Sequence, residues 1–408
     1  MGVLFLCLKV IMTLPAKRQD VLTGLRHLKM SRSPHAYVRG STVQFYAGLK
    51  AGSAKLPVGP AVWICGDCHI GNLGVIADKK GRVATQIRDL DQTVIGNPVH
   101  DLVRLGLSLA CAARGSELPG IVTAKILEEL IAGYQDALRG NFDIEKDRSY
   151  RSKSIQSLLR QSVHRGWTHL AKERLTDVEP TIPLGRRFWP LSRGERSALN
   201  ALFKTDDMRK LATSLQSRDS DETIKLIDAA YWVKGCSSLG RLRYAALACV
   251  GQGKAASFCL FDIKESVTAA APRSPKAKMP KDNAVRVVMG ARALSPNLGN
   301  RMMATRFLDK SVVVRELMPQ DLKIEVDRLT QPEAMNIARY LAGVVGRAHG
   351  RQMSKEVRDE WVQDLSRNYT SSIDAPNWLW SSVVELVAIH EIDYLDHCRR
   401  YAIAARRN

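Results

Sequence analysis

Two hydrophobic periods alternate along this chain, and the switches between them divide it. Around residue 63 the apolar runs are short and broken by polar turns. Trp63-Ile64 leads into GDCHIGN, Leu73 to Ile76 leads into Lys79-Lys80-Gly81, and Val83 to Ile87 ends on Asp89 and Asp91. Runs of that length bounded by glycine and charge predict strands, here paired as a hairpin. Polar tips at one end of the hairpin would collect Asp67, Asn72, Asp89 and Asp91 in one place. From Val99 to Ala113 the period lengthens to that of a helix, with Leu102, Leu105 and Leu109 in a stripe. Asn97-Pro98 suits its start, since Asn caps and Pro is tolerated in the first turn. Asp101, in that turn, either bonds back to the GDCHIGN loop or is a favourable first-turn charge.

Residues 118–230 read mostly as helices: Ile121 to Leu138 is amphipathic, 148–172 is strongly basic, and Pro180 to Pro190 is an irregular break. Strands return at Tyr231-Trp232-Val233. They are followed by a small-residue turn from Gly235 to Gly240, by Leu242 to Val250, and by Ser257 to Ile263, which runs into Lys264. Val285 to Met289 and Ser311 to Leu317 read as further strands. Thr330 and Glu333 form a capping box at the head of a periodic helix that ends near Met353. Its His349 reads as a packed or capping residue. A helical tail runs from Trp361 to Arg406. Ahead of the hairpin, Met30 to Gly40 reads as extended and Thr42 to Leu49 as a helix, and Arg39 can reach a phosphate or sit at a surface turn. The expected divisions are 1–29, a basic leader without regular structure; 30–118, the hairpin region; 119–230, a helical part; 231–325, a β-rich part; and 326–408, the long helix and the helices after it. The fold class is α+β.

Composition narrows the partners. The chain has 408 residues and a formal charge of +20, which calls for an anionic partner: nucleotide phosphates, nucleic acid, or an acidic surface. No helix-turn-helix, zinc-finger or RNA-binding aromatic motif accompanies the charge, so nucleic acid lacks motif support. The eight cysteines are scattered, with one C-x-x-C at Cys65 and Cys68, and read as reduced thiols in a cytoplasmic protein. The apolar run at residues 2–14 is interrupted by Lys9, is too short to span a bilayer, and is compatible with Met12 as the true start. No membrane span is expected.

The chemistry sits in two stretches. Asp and Asn oxygens are hard ligands suited to Mg²⁺ that bridges phosphates. Asn72 follows Asp67 by five positions, the interval of the catalytic loop of protein kinases, and Asp89-Leu90-Asp91 stands where those enzymes carry a metal-binding aspartate. A Gly/Ser turn lets backbone amides approach phosphates, and a lysine on the next strand can pair with them. GDCHIGN, and RDLD followed by GNPVHDL, resemble the loops of aminoglycoside phosphotransferases and choline-kinase-like enzymes, although Cys65 stands where their loop has histidine. More closely, the chain from Met30 to Ala402 resembles the bacterial family called domain of unknown function 2252. SPHAYVRG, GDCHIGNLG, RDLDQTVIGNPVHDLVRL, GCSSLG, IKES, RVVMGARAL, VVVREL and LAGVVGRAHGR carry that resemblance, while Gln92 and Met289 replace acidic residues of its pattern.

The kinase resemblance implies a two-lobe fold: a small antiparallel β lobe and a larger helical lobe. The motif order is cyclically shifted, because the catalytic loop precedes the Gly-rich turn, lysine, hinge and long helix. That order implies a circularly permuted chain. The implied activity is ATP- and Mg²⁺-dependent phosphoryl transfer to an unidentified hydroxyl or amine. Asp67 and His69 would be catalytic, and Asn72, Asp89 and Asp91 would be metal ligands. Gly235, Ser237, Ser238, Gly240, Lys264 and Arg315 would hold the nucleotide. The alternatives are a silent nucleotide binder and a basic nucleic-acid-binding protein.

Overall fold

The computed structural model describes residues 15–142, 153–164, 181–215, 217–236, 238–253, 256–324, 329–367 and 374–402. Among the described residues three α-helices come first, α1 (Arg18–Met30), α2 (Pro34–Val38) and α3 (Thr42–Ala51). Four strands follow: β1 (Val62–Ile64), β2 (Leu73–Ala77), β3 (Val83–Ile87) and β4 (Val94–Gly96). Then come α4 (Val99–Gly115), α5 (Gly120–Arg139), α6 (Lys153–His164), β5 (Phe188–Trp189), α7 (Arg193–Leu202) and α8 (Asp206–Ala212). Strands β6 (Ile224–Trp232), β7 (Arg243–Val250) and β8 (Ser257–Glu265) precede α9 (Asn283–Leu294) and α10 (Pro296–Gly299). The last described strands are β9 (Met302–Phe307), β10 (Lys310–Leu317) and β11 (Leu322–Lys323), and they are followed by α11 (Gln331–Gly350), α12 (Lys355–Leu365) and α13 (Asn377–His397).

The architecture is α+β, with all strand pairs antiparallel. Six strands form one sheet in the order β5-β6-β7-β8-β10-β9, three form β11-β2-β3, and β1 pairs β4. The larger core lies among α4, α5, α11, α13 and the β2–β3 hairpin, around Leu105, Leu127, Leu341 and Val383. A second core, with Trp189, Tyr244 and Phe261, packs one face of the six-stranded sheet against α7, α8 and Leu22 of α1. The α5–α11 contact depends on close backbone approach: a Cβ at Gly133 would lie 2.2 Å from the Arg339 carbonyl, and one at Gly346 would lie 2.7 Å from that of Tyr134. Arg339 then ties the two helices together by pairing with Glu129 and Asp136 of α5.

Four local expectations are corrected. Val285 to Met289 is helical, not extended. Asp282 caps the Ala284 and Val285 amides at 2.9 and 3.0 Å, and Ala284, Val287, Val288 and Ala291 bury one helical face. A run of β-branched residues in the sequence masked that spacing. Residues 18–29 are not a structureless leader but most of α1, whose Leu22 enters the sheet core. Within the expected extended segment, Ser33 caps the Ala36 amide at 3.1 Å ahead of Pro34 and starts α2. Strand β6 begins at Ile224, inside the stretch read as helical. The expectations for residues 1–14 and for most of the basic stretch 148–172 fall outside the described residues; its described part is α6. No helix among the described residues is long and apolar enough to cross a membrane.

Candidate active site

The GDCHIGN loop is held from below by buried polar contacts. Asp101, fully buried in the first turn of α4, accepts the Cys65 amide at 2.7 Å and the Gly66 amide at 2.9 Å. Its carboxylate also meets His349 Nε2 of α11 at 3.2 Å, while His349 Nδ1 pairs with the Tyr134 hydroxyl at 2.9 Å. Asp101 therefore bonds back to the loop, and His349 is a packed residue. Gly66 has φ +73°, and a Cβ there would lie 2.2 Å from the Gln92 carbonyl, so only glycine fits the turn. Tyr46 donates its hydroxyl to the Gly66 carbonyl at 2.8 Å and closes the other side. Cys65 and Cys68 are buried free thiols; their mutual hydrogen bond and burial push Cys65 well above its ordinary value, the opposite of a reactive thiolate.

Above this anchor the loop presents its chemistry. Asp67 is 6% exposed and accepts Arg104 Nε of α4 at 2.9 Å. Burial raises its pKa, Arg104 opposes that, and the nearby Asp89 charge adds to the rise. His69 Nε2 lies 3.9 Å from Asp67, and among the described residues nothing hydrogen-bonds its buried Nδ1. Burial and the Arg104 and Arg39 charges drive the His69 pKa well down, so the ring is neutral. Asn72 Nδ2 donates to the Asp67 carbonyl at 3.0 Å. The Arg88 amide donates to the Asn72 carbonyl at 2.7 Å, so the hairpin brings Asn72 and Asp89 to the same end.

The six-stranded sheet supplies the opposing wall. Side chains two apart on a strand share a face, so Asp262 and Lys264 of β8 point the same way. Arg243 of β7 is paired opposite Lys264, and Arg315 of β10 opposite Asp262. Asp262 is 1% exposed and holds both guanidiniums: Arg243 at 2.9 and 2.6 Å, Arg315 at 3.3 and 3.1 Å. Its burial would raise its pKa, but the two arginines outweigh that and keep it far below the usual carboxylate range. Lys264 Nζ lies 3.3 Å from both oxygens of Asp89 and in closer contact with Asp91. Partial burial opposes ionisation of Asp89, whose side chain is 44% exposed, yet Lys264, Arg315 and Arg243 hold it well below the ordinary value. Asp91 shifts upward, through burial and repulsion from Asp89. The two stretches picked out by sequence, far apart along the chain, thus meet at one point.

Between these walls is a cleft of about 580 Å³, inside the range of small-molecule sites. Nine basic side chains line it and Asp89 is its one lining carboxylate. Asn72 and Arg315 line it, as does Gly235, whose φ of +97° is open to glycine. Ser238 is buried with its hydroxyl 3.4 Å from the Lys234 carbonyl, Gly240 packs on Gln19, and Ser237 lies outside the described residues. Lys264 lies in the small adjoining pocket with Asp89 and Asp91, and Asp67 lines neither that pocket nor the cleft. Arg243, Asp262 and Arg104 were not singled out from sequence. Arg104 carried a signal all the same: it is a charge between Val103 and Leu105 inside an apolar helix, and such a residue needs a buried partner.

The geometry defines an α+β protein with a lysine–carboxylate cluster beside a cationic cleft. Residues 18–400 match the family described as an uncharacterized protein conserved in bacteria (DUF2252), and the chain belongs to that family. No curated protein and no solved structure matches the chain.

Proposed function

We propose that this protein is an ATP- and Mg²⁺-dependent phosphotransferase acting on a hydroxyl or amine, with a kinase-like two-lobe arrangement in circularly permuted order. The carrying observation is the contact of Lys264 with Asp89 and Asp91 across 175 and 173 positions of sequence. A strand lysine facing a metal-type aspartate, beside an Asp–x₄–Asn loop, is the constellation that phosphoryl transfer needs.

The donor set fits a hard cation. Asp89 has a carboxylate side chain 44% exposed, and Asn72 lines the cleft beside it. Among the described residues no group of three or more His, Cys, Asp or Glu could hold a metal alone. Mg²⁺ does not require one, since it binds one or two carboxylates and completes its shell with phosphate and water. When bound, Mg²⁺ neutralises charge on the phosphates. Asp91, raised and tied to Lys264, acts as a positioner of that lysine rather than as a ligand. Lys264 engages the α- and β-phosphates, and Arg243 and Arg315, fixed by Asp262, face the polyphosphate. Asp67 accepts the acceptor's proton as the acceptor oxygen or nitrogen bonds to the γ-phosphorus. The bond from that phosphorus to the bridging oxygen breaks, and ADP leaves with its electron pair. A raised carboxyl is a better base near neutrality. Neutral His69, whose Nδ1 has no partner among the described residues, is able to accept or donate one hydrogen bond to the transferred group.

The test is calorimetric titration of the full chain with Mg·ATP, wild type against Asp89→Ala and Lys264→Ala, with thermal melts as a folding control. Both variants should bind at least about tenfold more weakly, the loss of one charge-assisted contact. Wild-type affinity in both would remove the nucleotide site.

A further inference from the structure

The segment between β8 and α9 carries concentrated positive charge on a fixed backbone. Residues 271–281 read APRSPKAKMPK, with Arg273, Lys276, Lys278 and Lys281 and no carboxylate. All four basic residues are exposed. A charge run on its own is ordinarily a solvated face. Here the backbone beneath it is pinned. The Ser274 amide donates to the Ile95 carbonyl at 2.8 Å, and the Ile95 amide donates to Met279 Sδ at 3.0 Å, so the segment closes the edge of β4 away from β1. The Ala270 amide donates to Gln92 Oε1 at 2.6 Å, and the Ala277 amide closes a turn on the Ser274 carbonyl at 3.1 Å. Ala271 packs with Val62, Ile64 and Val94, and Met279 packs against that cluster. Exposed cations elsewhere have anions: Arg82 pairs with Asp78, and Arg114 with Glu391. Among the described residues, no carboxylate pairs with Arg273, Lys276, Lys278 or Lys281. Asp282, next along the chain, is taken up by the Ala284 and Val285 amides and the Ser311 hydroxyl. Four uncompensated cations, spread over at most about 30 Å of chain, thus face solvent from a fixed base.

We propose that this segment is a docking surface for the phosphate backbone of double-stranded nucleic acid, bound without regard to base sequence. A duplex offers one negative charge per about 1.7 Å of its axis, which point charges at fixed positions match without any pocket. Three of the four cations are lysines, whose ammonium lacks the planar fork that reads guanine, so the contacts go to phosphate. The segment has no aromatic side chain to stack unpaired bases, which favours a duplex over a single strand. Its one large apolar side chain, Met279, packs inward, leaving no anchor for a bilayer and no hot spot for a peptide. The formal charge of +20 draws a polyanion in from a distance. The surface shares no residue with the cleft and does not depend on the phosphotransferase reading.

The test is fluorescence anisotropy of a labelled DNA duplex of about 20 base pairs, titrated with the full chain at salt from about 50 to about 200 mM. Wild type is compared with a loop variant carrying Arg273→Gln, Lys276→Gln, Lys278→Gln and Lys281→Gln. A control carries Lys80→Gln, Lys204→Gln, Lys210→Gln and Lys225→Gln, which removes the same charge from exposed positions on other elements. Thermal melts report folding. Wild type should bind with an affinity that falls steeply with salt. Each phosphate contact adds about 0.9 to the slope of log affinity against log salt, so the loop variant should lose about 3.6 of slope and at least about tenfold in affinity at about 100 mM salt. The control should stay within about threefold of wild type, and Lys276→Gln with Lys278→Gln alone should lose about half of the loop variant's slope change. No binding by wild type at the lowest salt would overturn the proposal, and so would a loop variant that binds like wild type. Equal losses in loop variant and control would overturn it too, leaving net charge alone. Loop-dependent binding to phosphatidylserine vesicles, or to polyglutamate, at lower concentration than to the duplex would overturn the nucleic-acid class in favour of a membrane or an acidic protein.

Discussion

Two buried carboxylates show how single residues set this site. Asp67 shares its cage with Arg104, whose guanidinium is fully buried and also donates to the Val38 carbonyl. The pair keeps Asp67 in one orientation while leaving its second oxygen toward His69. In the proposed phosphotransferase, Asp67→Asn keeps the shape of the side chain and removes the proposed base. Turnover should fall by about 10²–10⁴ while Mg·ATP affinity stays within about threefold, read by coupled ADP release and titration. Full turnover in that variant would assign the base elsewhere or mean that none is needed. Asp262 differs in kind, since it touches no cleft ligand and only positions arginines. Asp262→Ala leaves Arg243 buried without its anion, and denaturant unfolding should show a loss of about 3–5 kcal/mol. A loss under about 1 kcal/mol would mean that the guanidiniums find water or another acceptor.

At the scale of elements, strands and long helices with a clean period were legible, and elements defined by their caps were not. The β2–β3 hairpin, α4, α5 and α11 follow directly from apolar spacing. Helix α9 was misread because Val285, Val287 and Val288 look like a strand, and the cap that overrides them is one aspartate held by Ser311 at 2.7 Å. Asp67, Asn72, Asp89, Asp91 and Lys264 were visible as motifs. Asp262, Arg243 and Arg104 became visible only through strand register and helix packing, which place partners that sequence leaves apart. The pairing of Asp101 with the loop belongs to this scale too, since it locks an irregular segment to a helix end. Asp101→Ala should accelerate amide hydrogen exchange at Cys65 and Gly66 well beyond any change in global stability. Uniform exchange changes across the chain would show a packing role instead of a local anchor.

At the scale of the whole molecule, the folded state excludes protons from His390, His69, His100 and His35, and this makes its stability depend on pH. His390 of α13 is 5% exposed, with Nε2 3.0 Å from the Pro34 carbonyl and its ring 5.1 Å from that of Tyr37. Burial lowers its pKa to about 4, against the Pro34 contact and with help from Arg104 and His35. The unfolded chain protonates the same ring near 6.5, so between those values it binds more protons than the native state. Stability is therefore complete above about pH 6.5 and is lost as pH falls toward 4, at up to about 1.4 kcal/mol per pH unit for one such group. His69, His100 and His35 are lowered in the same direction, chiefly by burial, and steepen the same window. Melting temperatures should be nearly flat from pH 7 to 8 and fall between pH 6.5 and 5. His390→Gln removes one titrating ring and keeps a donor for the Pro34 carbonyl, so its melting curve should slope less over that interval. An unchanged slope would mean that His390 takes up its proton in the folded protein, and that the α2–α13 contact carrying Arg39 toward the cleft opens to water in mild acid.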